Sequence, residues 1–207
     1  MREASGIEKT VYAKSHDERP TNNELDAFDK LLKQRTEESI AKLKLELEEY
    51  RAIGNEKNMM FLVGEKHDSE FLAKHLFADG MSKPGAGWAA HHMVSGKHKK
   101  AVAARLILAR IKIRIDDADN GCWMPDEKIC AHRTLFPNAI PHKNIHRTKY
   151  YNWVEGILRG AKTKLQAQAV LSMVRTQLLQ GKIKKELIDE IEVSRYNNTL
   201  KKTGKRT

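Results

Sequence analysis

Four histidines carry the first chemical question this sequence raises. His91 and His92 are adjacent in "AAHHMV", and His142 and His146 stand four apart in "HKNIH". Near neutral pH an imidazole can ligate a divalent transition metal or move a proton. Neighbouring side chains on a strand point to opposite faces, so one core has little use for both His91 and His92. An i,i+4 pair on a helix lies on one face, about 6 Å apart along the axis, and can grip one ion. A lone inward histidine is more often a satisfied core residue. Two such groups in one chain point to a metal site.

Competing patterns are weaker. There is no H-E-x-x-H, no Walker phosphate loop and no P-C-x-x-C of a zinc deaminase. Asp116, Asn120, Gly121 and Glu127 match places of a calcium loop, but Ala118 stands where a ligand belongs and Pro125 breaks the segment. Cys122 and Cys130, spaced C-x7-C, read as two reduced cysteines in a cytosolic setting. His98 reads as a surface residue of a basic helix and His132 as a solvated loop histidine, with a partner of the metal ligands as its alternative, while Trp88, Trp123 and Trp153 read as core.

The elements that must position these residues are legible in outline. Thr21 and Glu24 have capping-box spacing after Pro20, and Leu25, Phe28, Leu31, Leu32, Leu43, Leu47 and Tyr50 recur at helical intervals until Gly54. This predicts a long amphipathic helix with an acidic outer side. "MMFLV" (59–63) reads as a short buried segment of either type, and residues 69–79 predict a helix ending at Gly80. The turn "MSKPGAG" precedes an apolar run, 88–94, that predicts a strand bearing the histidine pair.

From Lys97 onward, Val102, Leu106, Ala109 and Ile113 mark one face of a helix. "DDADNG" is loop chemistry, "CWMP" is consistent with a brief strand stopped by Pro125, and 126–140 look irregular. A helix is predicted to open at Pro141 and run to about Leu158, with His142, His146, Trp153 and Ile157 in one stripe. One or two helices broken at Gly181 follow to about Val193, before a basic tail expected to be disordered.

Charge is distributed unevenly. Residues 1–80 hold 13 Lys/Arg against 17 Asp/Glu, 81–160 hold 14 against 6, and 161–207 hold 11 against 4. The basic excess thus begins where the histidine pair begins, and it favours a polyanionic partner through counterion release. No apolar run approaches the roughly 18–20 residues of a membrane span. The N-terminus lacks the apolar core of a signal peptide, so the protein is expected to be cytoplasmic when made, and any export would use a route that reads no such signal.

"AAHHMV", followed by "DNGCWMP" and "HKNIHRTKYYNWV", resembles the AHH family of nucleases in the HNH/endonuclease VII superfamily, whose members have the ββα-metal fold. The resemblance covers roughly residues 85–160. "MVS" and "WMP" depart from the usual endings of the two strands. It implies that His91, His142 and His146 hold one divalent ion, as in the colicin-type DNases. Zn, Mg, Mn or Ni are candidates, and three imidazoles lean to a transition metal. It further implies that His92 stays unligated as general base and that Asn120 ties the hairpin together and helps orient His92. Lys97, Lys99, Lys100, Arg133, Lys143 and Arg147 are the candidates to meet phosphates.

The expectation is therefore an α+β protein with a small ββα-metal finger core embedded in a mostly helical chain. Residues 1–80 form a helical N-terminal region, adaptor or integral layer, and 81–160 the nuclease core. Residues 161–195 form a helical extension, and 196–207 the tail. The expected function is metal-dependent DNA cleavage with little sequence specificity. The resemblance adds the role of an antibacterial toxin, delivered by a specialised secretion system and countered by an acidic immunity protein. The alternatives are a non-catalytic basic nucleic-acid-binding module with a structural metal, which would need four protein ligands, and a ribonuclease of the same fold.

Overall fold

The computed structural model describes residues 21–126 and 134–188; the predicted basic tail, Cys130, His132 and Arg133 lie outside them. Strands β1 (Trp88–His92) and β2 (Gly121–Pro125) form a two-stranded antiparallel sheet. Helices α1 (Asn22–Glu56), α2 (Met59–Gly64) and α3 (Ser69–Ala78) precede it, and α4 (Val102–Arg110) lies between the strands. Helices α5 (Thr148–Leu158), α6 (Lys164–Gln180) and α7 (Lys185–Ile188) follow. The chain is an α+β protein, mostly helical around a small ββα core.

The capping box of α1 forms as its spacing predicts, with Thr21 and Glu24 exchanging side-chain to backbone hydrogen bonds. Only the C-terminal half of α1 is packed. Leu47, Tyr50 and Gly54 are buried, whereas Leu25 and Leu32 are 41% and 43% exposed. The "MMFLV" segment is helical but not a buried element. Asn58 caps α2 by accepting from the Phe61 N–H, and this sets Leu62 inward against the α4 side while Met60 stays 73% exposed.

Both faces of the hairpin are covered, which is why β1 does not alternate polar with apolar. The pairs Ala89↔Met124 and His91↔Cys122 share one face, while Ala90↔Trp123 and His92↔Gly121 share the other. On the first face Cys122 and Met124 join the main core with Leu108, Tyr150, Val154 and Leu171. On the second, Trp88, Ala90 and Trp123 pack on Leu72 and Leu76 of α3. Burying each of those leucines fully contributes about 1.5–3 kcal/mol. Gly121 permits the close approach, since a Cβ there would lie 2.7 Å from the Leu76 side chain. Helix α6 opens on a capping box, Thr163 with Gln166, and stops at Gly181 in the left-handed conformation (φ 67°), where the predicted break falls.

The loop before β2 is clamped from two sides. Arg51 of α1 binds the Asp117 carboxylate through Nε and Nη2, and Arg175 of α6 donates to the carbonyls of Ala118, Asp119 and Gly121. The acidic loop residues therefore tie the N-terminal helices and the C-terminal bundle to one strand.

Candidate active site

Strand geometry separates the two adjacent imidazoles. His91 and His92 are 3% and 6% exposed, one on each face of β1. Their surroundings differ in chemistry.

His91 faces His142 and His146, with ring centroids 4.8 and 5.5 Å away. One ring nitrogen from each of the three can be chosen so that all lie within 4.8 Å of one another. The backbone route to this cluster is not the one the spacing suggests. His142–Asn144 is a single 3-10 turn, Arg147 is extended (φ −128°, ψ 146°), and α5 starts only at Thr148. The single helix predicted from Pro141 does not form, because Ile145 turns fully into the core between the two histidines and interrupts the helical path. Trp153 and Ile157 lie on α5 beyond that break, partly buried against the main core, so the predicted four-residue stripe is also replaced.

All three histidines favour the neutral, ligating form. Burial pushes the His91 pKa well below its ordinary value, reinforced by the other imidazoles. Burial lowers His142, opposed by the Asp126 carboxylate, and lowers His146, with His142, His98 and Arg147 adding to the effect. The Nε2 atoms of His142 and His146 face each other at 3.1 Å, and His146 Nδ1 lies 3.1 Å from the Tyr151 hydroxyl. His142 Nδ1 stands 3.9 Å from Asp126 Oδ1. Tyr151 can thus fix the ring of His146, and Asp126 lies close to Nδ1 of His142, which leaves both Nε2 atoms for a shared cation.

The buried Nε2 of His91 has no hydrogen-bond partner. An orphaned nitrogen beside two facing imidazoles fits a divalent transition-metal ion. Cys122, which pairs with His91 across the hairpin, does not add a thiolate, since burial pushes its thiol up to about 12. Among the described residues the cluster has three protein ligands, short of the four that close a structural zinc site.

His92 turns the other way. Its Nε2 lies 2.5 Å from Oδ1 of Asp116, a carboxylate that is itself buried, and its ring packs 5.1 Å from that of His67. Asn120 does not supply this contact. Its side chain accepts from the Val94 N–H and donates to the carbonyls of Val94 and Ile115, joining the end of β1 to the start of β2. The sequence reading missed Asp116, set in a run of three aspartates within four residues that reads as loop chemistry.

His98 also departs from its reading as a surface residue. It stacks on Tyr151 at 4.4 Å, and its Nδ1 accepts from the Lys100 N–H to cap the 3-10 turn Lys99–Ala101. Arg105 holds the same loop through the carbonyls of Ser95 and His98. That loop carries Lys97, Lys99 and Lys100, all exposed, to the Tyr151 side of the cluster. Lys143 is exposed beside His142, and Arg147 is half-buried beside His146. Arg133 lies outside the described residues.

The sequence profile of AHH, a nuclease family of the HNH/ENDO VII superfamily with conserved AHH, matches residues 72–187. The chain belongs to this nuclease family. Neither a curated protein nor a solved structure matches it. Membership implies hydrolysis of a nucleic acid, and nucleases of this superfamily use a divalent metal, which the three-histidine group could hold. The match begins inside α3, so α1, α2 and His67 lie outside it. No helix among the described residues is long and apolar enough to cross a membrane.

Proposed function

We propose that the chain is a metal-dependent DNA endonuclease of low sequence specificity in which His91, His142 and His146 hold the ion and His92 is the general base. The observation that carries this reading is the division of labour at the hairpin: an orphaned Nε2 on His91 within a three-imidazole group, and a partnered Nε2 on its neighbour. When bound, the metal stabilises negative charge on the scissile phosphate and on the leaving 3′-oxygen. His92, with Nε2–H given to Asp116, offers the Nδ1 lone pair to a water proton. Lys97, Lys99, Lys100, Lys143 and Arg147 meet backbone phosphates, which explains the expected indifference to sequence. Asn120 holds the hairpin that separates the two histidines.

Among the described residues three protein ligands come together, which would leave coordination open for substrate and favours this reading over a structural-metal module. On the same reading residues 21–80 are an integral layer of the nuclease, supported by the contacts of Arg51 and α3 with the hairpin. Family resemblance and the basic surface further support a toxic effector restrained by an acidic immunity protein seated on Lys97–Lys100 or Arg147. The test is incubation of the purified chain with plasmid DNA and with structured RNA, with and without chelator. Plasmid nicking that chelator abolishes and Zn, Ni, Mn or Mg restores is the expected result. Cleavage of RNA alone would select the ribonuclease, and binding without cleavage the structural module.

A further inference from the structure

Asp116 is buried, 3% exposed, and both carboxylate oxygens have a partner: they share the Asp68 N–H at 3.1 Å, and Oδ1 meets His92 Nε2 at 2.5 Å. Its backbone is held as firmly. The Asp116 N–H donates to the Tyr50 hydroxyl of α1 at 3.1 Å, and its carbonyl receives His75 Nδ1 of α3 at 2.6 Å. One residue is thus fixed at amide, carbonyl and carboxylate by three N-terminal residues, two of which, Tyr50 and Asp68, precede the family match at residue 72. A buried hydrogen bond this short limits rotation of the His92 ring, and a carboxylate oxygen that accepts from Nε2 goes with the Nε2–H tautomer.

We propose that Asp116 is a positioning residue for His92, locking the tautomer that leaves Nδ1 as the basic nitrogen, and that through it the N-terminal helices take part in catalysis. This inference rests on His92 being the general base. It assigns the helices before the AHH segment a catalytic duty in addition to packing. The side chain of Asp116 meets Asp68 and His92, so its effect on the reaction runs through His92.

The test uses the full chain loaded with the supporting metal. Asp116→Asn keeps the shape but can donate to Nε2, favouring the opposite tautomer; kcat for nicking should fall on the order of 10²-fold, with KM and bound metal unchanged. In the His92→Ala background, which loses activity by itself, Asp116→Asn should cause no further loss. Equal losses in both backgrounds would show a merely structural role and overturn the proposal, as would Asp116→Asn at wild-type kcat. If His92→Ala itself nicks like wild type, the base assignment fails first, and the two failures are told apart. Should Asp116→Asn not fold, histidine ¹⁵N spectra of the wild-type protein decide, with His92 assigned by its loss in His92→Ala. An Nε2–H tautomer supports the proposal, and an Nδ1–H tautomer overturns it.

Discussion

The two faces of one short hairpin hold histidines in opposite conditions. On the face of His91 one imidazole nitrogen lacks a partner: Nε2 of His91 is orphaned, beside two further Nε2 atoms that point at each other. On the face of His92 the imidazole is held by Asp116, which also meets Tyr50, Asp68 and His75. An unsatisfied buried nitrogen is tolerated where a ligand satisfies it, whereas a proton-accepting group needs a fixed ring and a fixed tautomer. Adjacent residues can serve both purposes because the pleat sends them into different layers of the protein.

The sharpest way to break this comparison is to remove each neighbour in turn. His92→Ala should lower cleavage by about 10²–10⁴-fold while bound metal stays near one ion per chain. His91→Ala, His142→Ala and His146→Ala should lose metal and activity together. Metal analysis and plasmid nicking of the four variants in parallel check this; a His92→Ala protein that loses its metal while His91→Ala keeps both would reverse the roles.

A second prediction concerns the layers behind each face. Leu76→Ala in α3 and Leu171→Ala in α6 remove fully buried side chains, and each should cost about 2–5 kcal/mol in urea unfolding. A cost for Leu76→Ala below about 1 kcal/mol would mean that the His92 face does not depend on the α3 layer.

Acid should also expose the difference between apo and loaded protein. Burial lowers the folded-state pKa of His91, His142, His146 and His75. The unfolded chain therefore binds protons first as pH falls, so stability present above about 6.5 declines below it. Thermal melts of the metal-free chain should shift down between pH 7 and 5.5, and added metal should raise the midpoint more at pH 7, where its ligands are neutral. A flat apo profile over that range would contradict imidazoles held neutral by their surroundings.

The smallest effect belongs to the exposed cations, which sharpen the picture from outside. Lys143→Ala should weaken DNA binding less than tenfold and reduce the slope of log affinity against log salt by about 1, alike for unrelated sequences. An unchanged slope would remove Lys143 from the phosphate contacts.

Much of the scaffold was legible because its signals are local. The capping box of α1, the helical spacing of α3, the proline that ends β2 and the glycine that ends α6 depend on neighbours within a few residues. The histidine cluster was legible for a partly wrong reason. His142 and His146 meet, but through a 3-10 turn and an extended residue on either side of buried Ile145, since core burial outweighs the weak helical preference of that segment. The exposed half of α1 is a miss of the opposite kind, for an amphipathic pattern says which face could be buried and not what arrives to cover it.

The sequence by itself determined the family, the alternation that parts His91 from His92, and the basic character of the chain from residue 81 onward. Each follows from residue type and short-range spacing. Only the tertiary structure decided that Asp116, among Asp116, Asp117 and Asp119, is the one that meets His92, while Asp117 binds Arg51 and Asp119 binds Gln168. Those partners lie 24, 66 and 49 residues away along the chain, and local propensity carries no information over such separations. Which carboxylate is buried against an imidazole, and which against a guanidinium, is fixed when α1, α3 and α6 close on the loop. The high cost of leaving a buried charge unpaired then selects a single arrangement.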